Sequence, residues 1–201
     1  MDAEAQELCD IMGRYCAGEP AAFHILYKRL APKIMAYLWG MIGDRAAAQD
    51  LVQQTFLKVH EARSAYVRGA NPIPWIYTIA HRTCLDEMRK RKRSRVRLTK
   101  DGELRTAPAA HITGVAEDAD HPEGERAASA AAAMAALEHL PDNQREALIL
   151  TKVHGRTVAE AAMITGTTPG AIKLRAHRAY VTLRGLLRRT AGGEPAEKEM
   201  A

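Results

Sequence analysis

The sequence has few aromatic residues and few cysteines, and both shortages limit what the chain can be. Only two Phe and two Trp occur among 201 residues, although 47% of the chain is hydrophobic. A core built mainly from Ala, Leu, Ile, Val and Met favours helices. The three cysteines, Cys9, Cys16 and Cys84, form no C-x-x-C pair, which argues against a disulfide framework and against a zinc site. We therefore expect free thiols, with no metal and no cofactor.

Signals for export, membrane insertion and catalysis are also missing. The N-terminus, MDAEAQELCD, is acidic and lacks the apolar stretch of a signal peptide. No run approaches the ~18 apolar residues that a membrane-spanning helix needs. The chain contains no phosphate-binding glycine loop, no Gly-x-Ser-x-Gly and no His-Glu-x-x-His, and its eight histidines are scattered. We therefore predict a cytoplasmic protein that is not inserted in a membrane and is not an enzyme.

The hydrophobic pattern predicts an all-α protein made of two small helical domains. Apolar residues recur at spacings of three and four, and clean alternation is absent. Between the two helical parts lies a stretch rich in Gly, Pro, Ala and acidic residues, which is typical of a flexible tether. We place the first domain at 1–97, the flexible linker at 98–126, the second domain at 127–189 and a disordered tail at 190–201.

Local signals divide the first domain into helices. Pro20 starts a long apolar stripe that ends at Gly43. Breakers within 64–73 predict a loop, and a further helix over 74–93 begins with apolar and aromatic residues and ends in charge.

The second domain has the pattern of a helix-turn-helix motif. A short helix, 157–165, opens with the capping box Thr157-Val158-Ala159-Glu160, and Gly166 ends it. A second helix, 168–189, starts with an N-cap Thr and a proline at its first position. A helical hairpin with a solvated basic face is the alternative interpretation of this geometry.

Cations on the leading turns of the second helix favour DNA binding. Its apolar stripe faces inward, which leaves basic side chains on the open side: Lys173, Arg175, His177 and Arg178. A recognition helix meets base edges with its N-terminal residues, and Arg or Lys there can pair with guanine.

A second basic cluster lies at the end of the first domain. Seven of the nine residues in 89–97 are Lys or Arg. Such a run repels itself and is stabilised by a polyanion, although a solvated start of the linker is the alternative. The preceding loop carries Tyr66, Arg68 and Asn71, so a cationic track lies beside residues able to hold single-stranded bases. We interpret the neighbouring Trp75 as mainly structural.

Several segments together resemble extracytoplasmic-function sigma factors of bacterial RNA polymerase. In the first domain these are Asp50-Leu51-Val52-Gln53-x-x-Phe56, Pro74-Trp75-Ile76-Tyr77-x-Ile79-Ala80 and Asp86-x-x-Arg89. In the second domain they are Leu140-Pro141-x-x-x-Arg145-Glu146, Gly155-Arg156-Thr157, Gly170-Ala171-Ile172-Lys173-x-Arg175-x-His177-Arg178-Ala179 and Leu183-Arg184. Each motif alone is weak, but both domains and their order match.

The resemblance implies a factor that binds core RNA polymerase and directs promoter-specific initiation. It assigns polymerase binding to a polar surface whose role the pattern alone does not reveal: Asp50, Gln53 and Gln54. It assigns reading of the −10 element to the loop and helix that follow: Tyr66, Arg68, Asn71, Arg82, Arg89, Lys90 and Arg93. It assigns reading of the −35 element to the second domain: Thr168, Gly170, Lys173, Arg175, His177 and Arg178. It also implies an anti-sigma factor as a partner.

The chain departs from the family pattern at the promoter- and polymerase-contact segments. Arg82 stands where the family usually has Asn, Gln49 stands where an acid is common, and Pro72 and Pro74 stiffen the loop. We therefore expect an unusual −10 preference. A stand-alone helix-turn-helix regulator is the alternative function, and it would bind duplex DNA as a dimer without polymerase.

Overall fold

All regular structure in the computed structural model, which describes residues 3–100 and 135–191, is helical, so the all-α prediction is confirmed. The N-terminal module (3–100) contains α1 (Ala3–Cys16), α2 (Pro20–Ile42), α3 (Arg45–Glu61), a 3₁₀ turn (Ala62–Ala65) and α4 (Pro72–Lys100). The C-terminal module (135–191) begins with helical residues 135–138 and continues with α5 (Asp142–Leu148), a π-helical turn (Ile149–Val153), α6 (Val158–Thr165) and α7 (Pro169–Ala191).

Caps account for the end of α2, which the sequence predicted at Gly43, and for the start of α3. α2 ends where Gly43 adopts a left-handed φ of 74°, which costs a glycine little. The Asp44 carboxylate then accepts a hydrogen bond of 3.1 Å from the amide of Ala47 and so starts α3.

The helix α4 differs from its predicted bounds at both ends. It begins at Pro72 rather than near 74, because a proline is tolerated in the first turn of a helix. The Asn71 side-chain oxygen accepts a hydrogen bond of 3.0 Å from the amide of Ile73 and supports this start. α4 continues to Lys100, so the first residues of the predicted linker are helical. Likewise α7 runs to Ala191, so the first two residues of the predicted tail (190–201) are helical. The rest of the linker and of the tail lie outside the described residues.

The N-terminal module has an apolar core to which α1, α2, α3 and α4 all contribute. Leu8, Leu26, Ile34 and Ile76 are fully buried in it. An aromatic group lies beside this core, where the Tyr27 ring meets the Phe56 ring edge-on with centroids 4.7 Å apart.

The two modules pack against each other. Residues of the C-terminal module, including Ile149, Leu150 and Ile164, belong to the same apolar cluster as the core of the N-terminal module. The sequence analysis predicted two domains joined by a linker but did not predict this docking. The helix α7 is nevertheless not enclosed by it, because Lys173 and His177 are exposed.

Candidate nucleic-acid and polymerase interfaces

The helices α6 and α7 form the predicted helix-turn-helix. The Thr157 hydroxyl accepts a hydrogen bond of 3.1 Å from the Glu160 amide, and the Glu160 carboxylate accepts one of 2.8 Å from the Thr157 amide. This capping box starts α6, and Gly166, with a φ of 64°, ends it. The Thr168 hydroxyl accepts a hydrogen bond of 3.2 Å from the Ala171 amide and caps α7. Both predicted caps are therefore present.

The buried stripe of α7 leaves its basic side chains on the other faces of the helix. Ile172 and Ala179 are completely buried. Five of the six residues predicted to bind the −35 element are exposed, and Arg175 is half-buried: Thr168, Gly170, Lys173, Arg175, His177 and Arg178. Thr168 is the N-cap residue, and the other five lie within the first three turns of α7, at its leading end.

A groove that the sequence analysis missed adjoins this surface. It has a volume of about 410 Å³ and lies between the π-helical turn and α7, where Val158, Ile172 and Ala176 form apolar walls and Tyr180 borders it. The Tyr180 side chain is 57% exposed. Its position outside the buried stripe of α7 is a signal in the sequence for an apolar surface at this groove.

The basic run on α4 divides into paired and open cations. Arg91 contacts the Glu87 carboxylate at 3.0 Å and the Asp44 carboxylate at 3.3 Å, so it ties α4 to the start of α3. Arg89 pairs only weakly, at 3.4 Å from the Asp86 carboxylate. Lys90 is exposed and lies 3.9 Å from the Glu87 carboxylate, and the remaining predicted cations of this surface are exposed: Arg82 and Arg93.

The loop before α4 is held by more internal contacts than the sequence suggested. Tyr66 is 6% exposed, and its hydroxyl donates a hydrogen bond to the carbonyl of Ala70. Its ring lies 5.4 Å from that of Trp75, which supports the structural role predicted for the tryptophan. Arg68 is exposed, whereas the Asn71 side chain serves the helix start. Tyr66 thus faces the core of the module, and a contact between its side chain and DNA stays a prediction.

The polar surface predicted on α3 is open. Asp50, Gln53 and Gln54 are all exposed, while Val52 and Phe56 are buried beneath them as expected. Leu57 is 59% exposed and follows Gln53 and Gln54 by four and three positions, so it shares their face of the helix. The sequence analysis missed Leu57, although its position outside the buried stripe marks it as an apolar contact residue.

The interface between the modules contains a buried polar cluster, consisting of Tyr37, His81 and Glu146. The Tyr37 hydroxyl donates a hydrogen bond of 2.9 Å to the Glu146 carboxylate, which also contacts Nδ1 of His81. Burial and the adjacent carboxylate hold the pKa of Tyr37 well above its ordinary value.

A second polar contact lies beside this cluster. The Tyr77 hydroxyl is 3.1 Å from Nδ1 of His154, and the Arg156 guanidinium lies 5.9 Å from the centre of the Tyr77 ring. Burial raises the pKa of Tyr77 to about 12. Burial, reinforced by the positive charges of Arg156 and Lys33, lowers the pKa of His154 to about 4. Both groups are therefore neutral near pH 7.

Neither a metal centre nor a membrane-spanning element is found in the described part of the chain. No group of three or more His, Cys, Asp or Glu in residues 3–100 and 135–191 is arranged to hold a metal ion. Within the same ranges, no helix combines the length and apolar character needed to cross a membrane.

The fold and these surfaces define a class of protein, namely an all-helical transcription factor with a basic surface on each of two modules. Comparison with known families gives the particular assignment. Sigma-70 region 2 matches residues 26–94, and sigma-70 region 4 matches residues 130–183. The RNA polymerase sigma factor CarQ of Myxococcus xanthus is 36% identical over 88% of this chain and 95% of its own length. The ECF RNA polymerase sigma factor BldN of Streptomyces coelicolor is 30% identical over 92% of this chain and 68% of its own length. The chain belongs to the extracytoplasmic-function sigma factors, which are transcription initiation factors.

Solved structures agree with this assignment. The sigma factor RpoE of Bartonella quintana, in complex with the anti-sigma factor NepR, superposes with a TM-score of 0.63 at 28% identity, covering 83% of this chain and 97% of that one. CnrH, in complex with the cytosolic domain of CnrY, superposes with a TM-score of 0.65 at 22% identity, covering 92% of this chain and 97% of that one. The second likeness concerns the fold alone.

Proposed function

We propose that this sigma factor reads the −35 element with the start of α7 and the −10 element with α4 and the loop before it, while bound to core RNA polymerase. The observation that carries this proposal is the capped, exposed and cationic leading end of α7. Lys173, His177 and Arg178 are open to solvent there, at the end of the helix that enters a major groove in helix-turn-helix proteins. Arg175 and Arg178 on these turns carry the guanidinium group that suits a bidentate contact with guanine, and we assign that contact to Arg175.

The N-terminal module supplies a second basic surface for the melted −10 element. Arg82, Lys90 and Arg93 are exposed along α4, and Arg68 is exposed on the loop. Phosphate contacts from Arg68, Lys90 and Arg93 would hold the strand without reading its sequence, so base selection falls to the loop and to Arg82. Arg82, which replaces the usual Asn of the family, adds a positive charge and shifts the −10 preference.

The exposed face of α3 is the proposed polymerase-binding surface. Asp50 supplies a charge, Gln53 and Gln54 supply hydrogen-bonding groups, and Leu57 supplies apolar area. A protein interface combines these features, with an apolar centre and a polar rim.

Regulation and location follow from the family. An anti-sigma factor holds the chain inactive until a signal arrives, and the chain acts in the cytoplasm without catalysing a reaction of its own. The complex that the Bartonella quintana relative forms with NepR supports an anti-sigma partner.

Run-off transcription with core polymerase over a randomised promoter library tests this function. We expect transcripts only when the chain and core polymerase are both present, with enriched sequence in two separated blocks. Tight, specific binding of duplex DNA by the chain alone, without stimulation of transcription, would instead indicate a stand-alone regulator.

A further inference from the structure

The side of α7 that lies opposite its buried stripe carries two large apolar residues. The buried stripe contains Ile172 and Ala179. Leu174 and Val181 follow Ile172 by two and nine positions, which places them about 200° and 180° around the helix axis from it. Leu174 is 49% exposed and Val181 is 55% exposed. These two residues therefore form an apolar line along the part of α7 that points away from the protein body.

Basic side chains flank this apolar line at the leading end of the helix. His177 and Arg178 follow Leu174 by three and four positions, so they lie on opposite sides of the line. Both are exposed, as is Lys173. Gly170, one turn before Leu174, is exposed too, and a Cβ atom there would meet no non-local atom of the described chain within 4 Å. A ligand can therefore approach the helix closely at Leu174, with positive charge on both sides of the contact.

The charge of α7 favours a polyanion over a protein as that ligand. One exposed leucine is common on protein surfaces, and an apolar line can also bind another protein. However, the 23 residues of α7 include no Asp or Glu, so the charges beside Leu174 are all of one sign. A surface of this kind is complementary to the phosphates of nucleic acid.

The major groove of duplex DNA offers a matching arrangement of groups. Phosphates border the groove, and the base edges lie between them. Most groups on these edges are hydrogen-bond donors or acceptors, whereas the C5-methyl group of thymine is apolar and is contacted by apolar side chains. Because Leu174 has no hydrogen-bonding group in its side chain, it can favour a base only through such an apolar contact.

We propose that Leu174 is a specificity-determining residue whose side chain contacts the C5-methyl group of one thymine in the −35 element. The inference rests on the proposed function, because it requires the leading end of α7 to enter the major groove there. Val181 lies about 10 Å further along the helix, past the leading turns that meet base edges. Burial of one methyl group against the leucine strengthens promoter binding by about fourfold.

Removing a single methyl group from the DNA tests the proposal. The probe is the promoter most enriched in the randomised library, bound by holoenzyme assembled from core polymerase and the full chain. Each −35 thymine, on either strand, is replaced in turn by deoxyuridine, which lacks only the C5-methyl group. We expect one replacement to weaken binding by wild-type holoenzyme by about fourfold and to leave binding by the Leu174→Ala holoenzyme unchanged.

Adding the methyl group to another base gives the reverse measurement. At the position so identified, the thymine is replaced by cytosine in one promoter and by 5-methylcytosine in a second, each paired with guanine. We expect wild-type holoenzyme to bind the methylated promoter about fourfold more tightly than the unmethylated one. The Leu174→Ala holoenzyme should bind the two equally.

Val181→Ala is the matched control, since it shortens the other exposed side chain of the apolar line. Its holoenzyme should keep the full fourfold dependence on the methyl group. Circular dichroism at the wild-type helix content would show that both variants are folded, as expected for substitutions at exposed positions.

The measurements separate failure of this inference from failure of the proposed function. A selected −35 block without thymine on either strand, or equal methyl dependence in wild type and Leu174→Ala, overturns the contact but leaves −35 reading intact. If Leu174→Ala instead loses affinity for core polymerase and no methyl group has an effect, the apolar line binds protein and the inference is wrong. If wild-type holoenzyme selects no −35 block, the proposed function fails and this inference fails with it.

Discussion

Among single residues, His154 links its own protonation to the stability of the interface between the modules. Its Nδ1 atom meets the Tyr77 hydroxyl, and its Nε2 atom is buried without a hydrogen-bond partner. A proton on this ring would place a charge in that site beside Arg156, which is why the pKa of His154 falls from 6.5 to about 4.

We predict that acidification destabilises the protein through His154. Between pH 6.5 and pH 4 the unfolded chain binds a proton at this residue that the folded chain does not, so stability falls as pH falls through that window and is constant above it. The loss is about 1–3 kcal/mol once solvent screening of the half-buried ring is allowed for. Urea unfolding at pH 7, 5.5 and 4.5 measures it, and His154→Gln should show a shallower decline than wild type. Equal declines in the two proteins would assign the effect to other groups.

We predict that Arg175 contributes to promoter specificity at the −35 element. Arg175→Ala should cost about 1–3 kcal/mol at the −35 element, because a bidentate contact with one base pair is lost. Competition between promoter variants in run-off transcription measures the change. Arg184→Ala is the control, since Arg184 is exposed on the same helix but lies beyond its leading turns. Unchanged discrimination at −35 in Arg175→Ala would remove this residue from the recognition surface.

At the level of elements, the signals that start and stop helices are local, and these were predictable. The capping box of α6 involves residues three positions apart, and Thr168 caps α7 through the Ala171 amide in the same way. The end of α4 was harder to predict, because a dense run of cations interrupts the hydrophobic pattern there. Ion pairs between neighbouring turns, such as Arg91–Glu87, nevertheless stabilise the helix through this run.

Loss of the α6 cap should destabilise the helix-turn-helix. Thr157→Ala removes the hydroxyl that accepts from the Glu160 amide, and we expect a loss of about 0.5–2 kcal/mol in the free energy of unfolding. Chemical denaturation followed by circular dichroism measures it. Thr182→Ala, at an exposed position inside α7, should cost far less, so similar losses in both variants would contradict a capping effect.

The basic surface of α4 should contribute to DNA binding through counterion release. Neutralising Arg89, Lys90 and Arg93 together should lower the slope of log affinity against log salt by up to about 2–3, because each phosphate contact contributes about 0.7–0.9. Arg91 is left unchanged, since it pairs with Glu87 and Asp44. Holoenzyme binding to promoter DNA at several salt concentrations gives the slope, and Lys28→Gln on α2 serves as the control. An unaltered slope would mean that these cations stay in solvent and do not contact phosphates when the holoenzyme binds promoter DNA.

For the whole molecule, the docking of the two modules was beyond the reach of the sequence. In the sequence, Gly40 looks like an ordinary glycine inside an apolar helix, and Glu146 looks like a surface residue of α5. In the structure both residues lie at the interface between the modules. Such contacts join residues more than 100 positions apart and leave no periodic trace in the sequence. The burial of Tyr66 was missed for the same reason, since its neighbour Cys9 lies 57 positions away.

Binding of the full chain to core polymerase tests whether the exposed face of α3 is the polymerase-binding surface. Asp50 is exposed beside Gln53 and Leu57, so Asp50→Arg reverses one charge there without disturbing the buried Val52 and Phe56. We expect co-purification with core polymerase to fall by at least about tenfold, because a like-charge contact at an interface costs more than the loss of one pair. The same reversal at the exposed Asp10 of α1 should leave co-purification unchanged. Since both variants keep the core intact, equal recovery of polymerase with each would show that binding uses another surface.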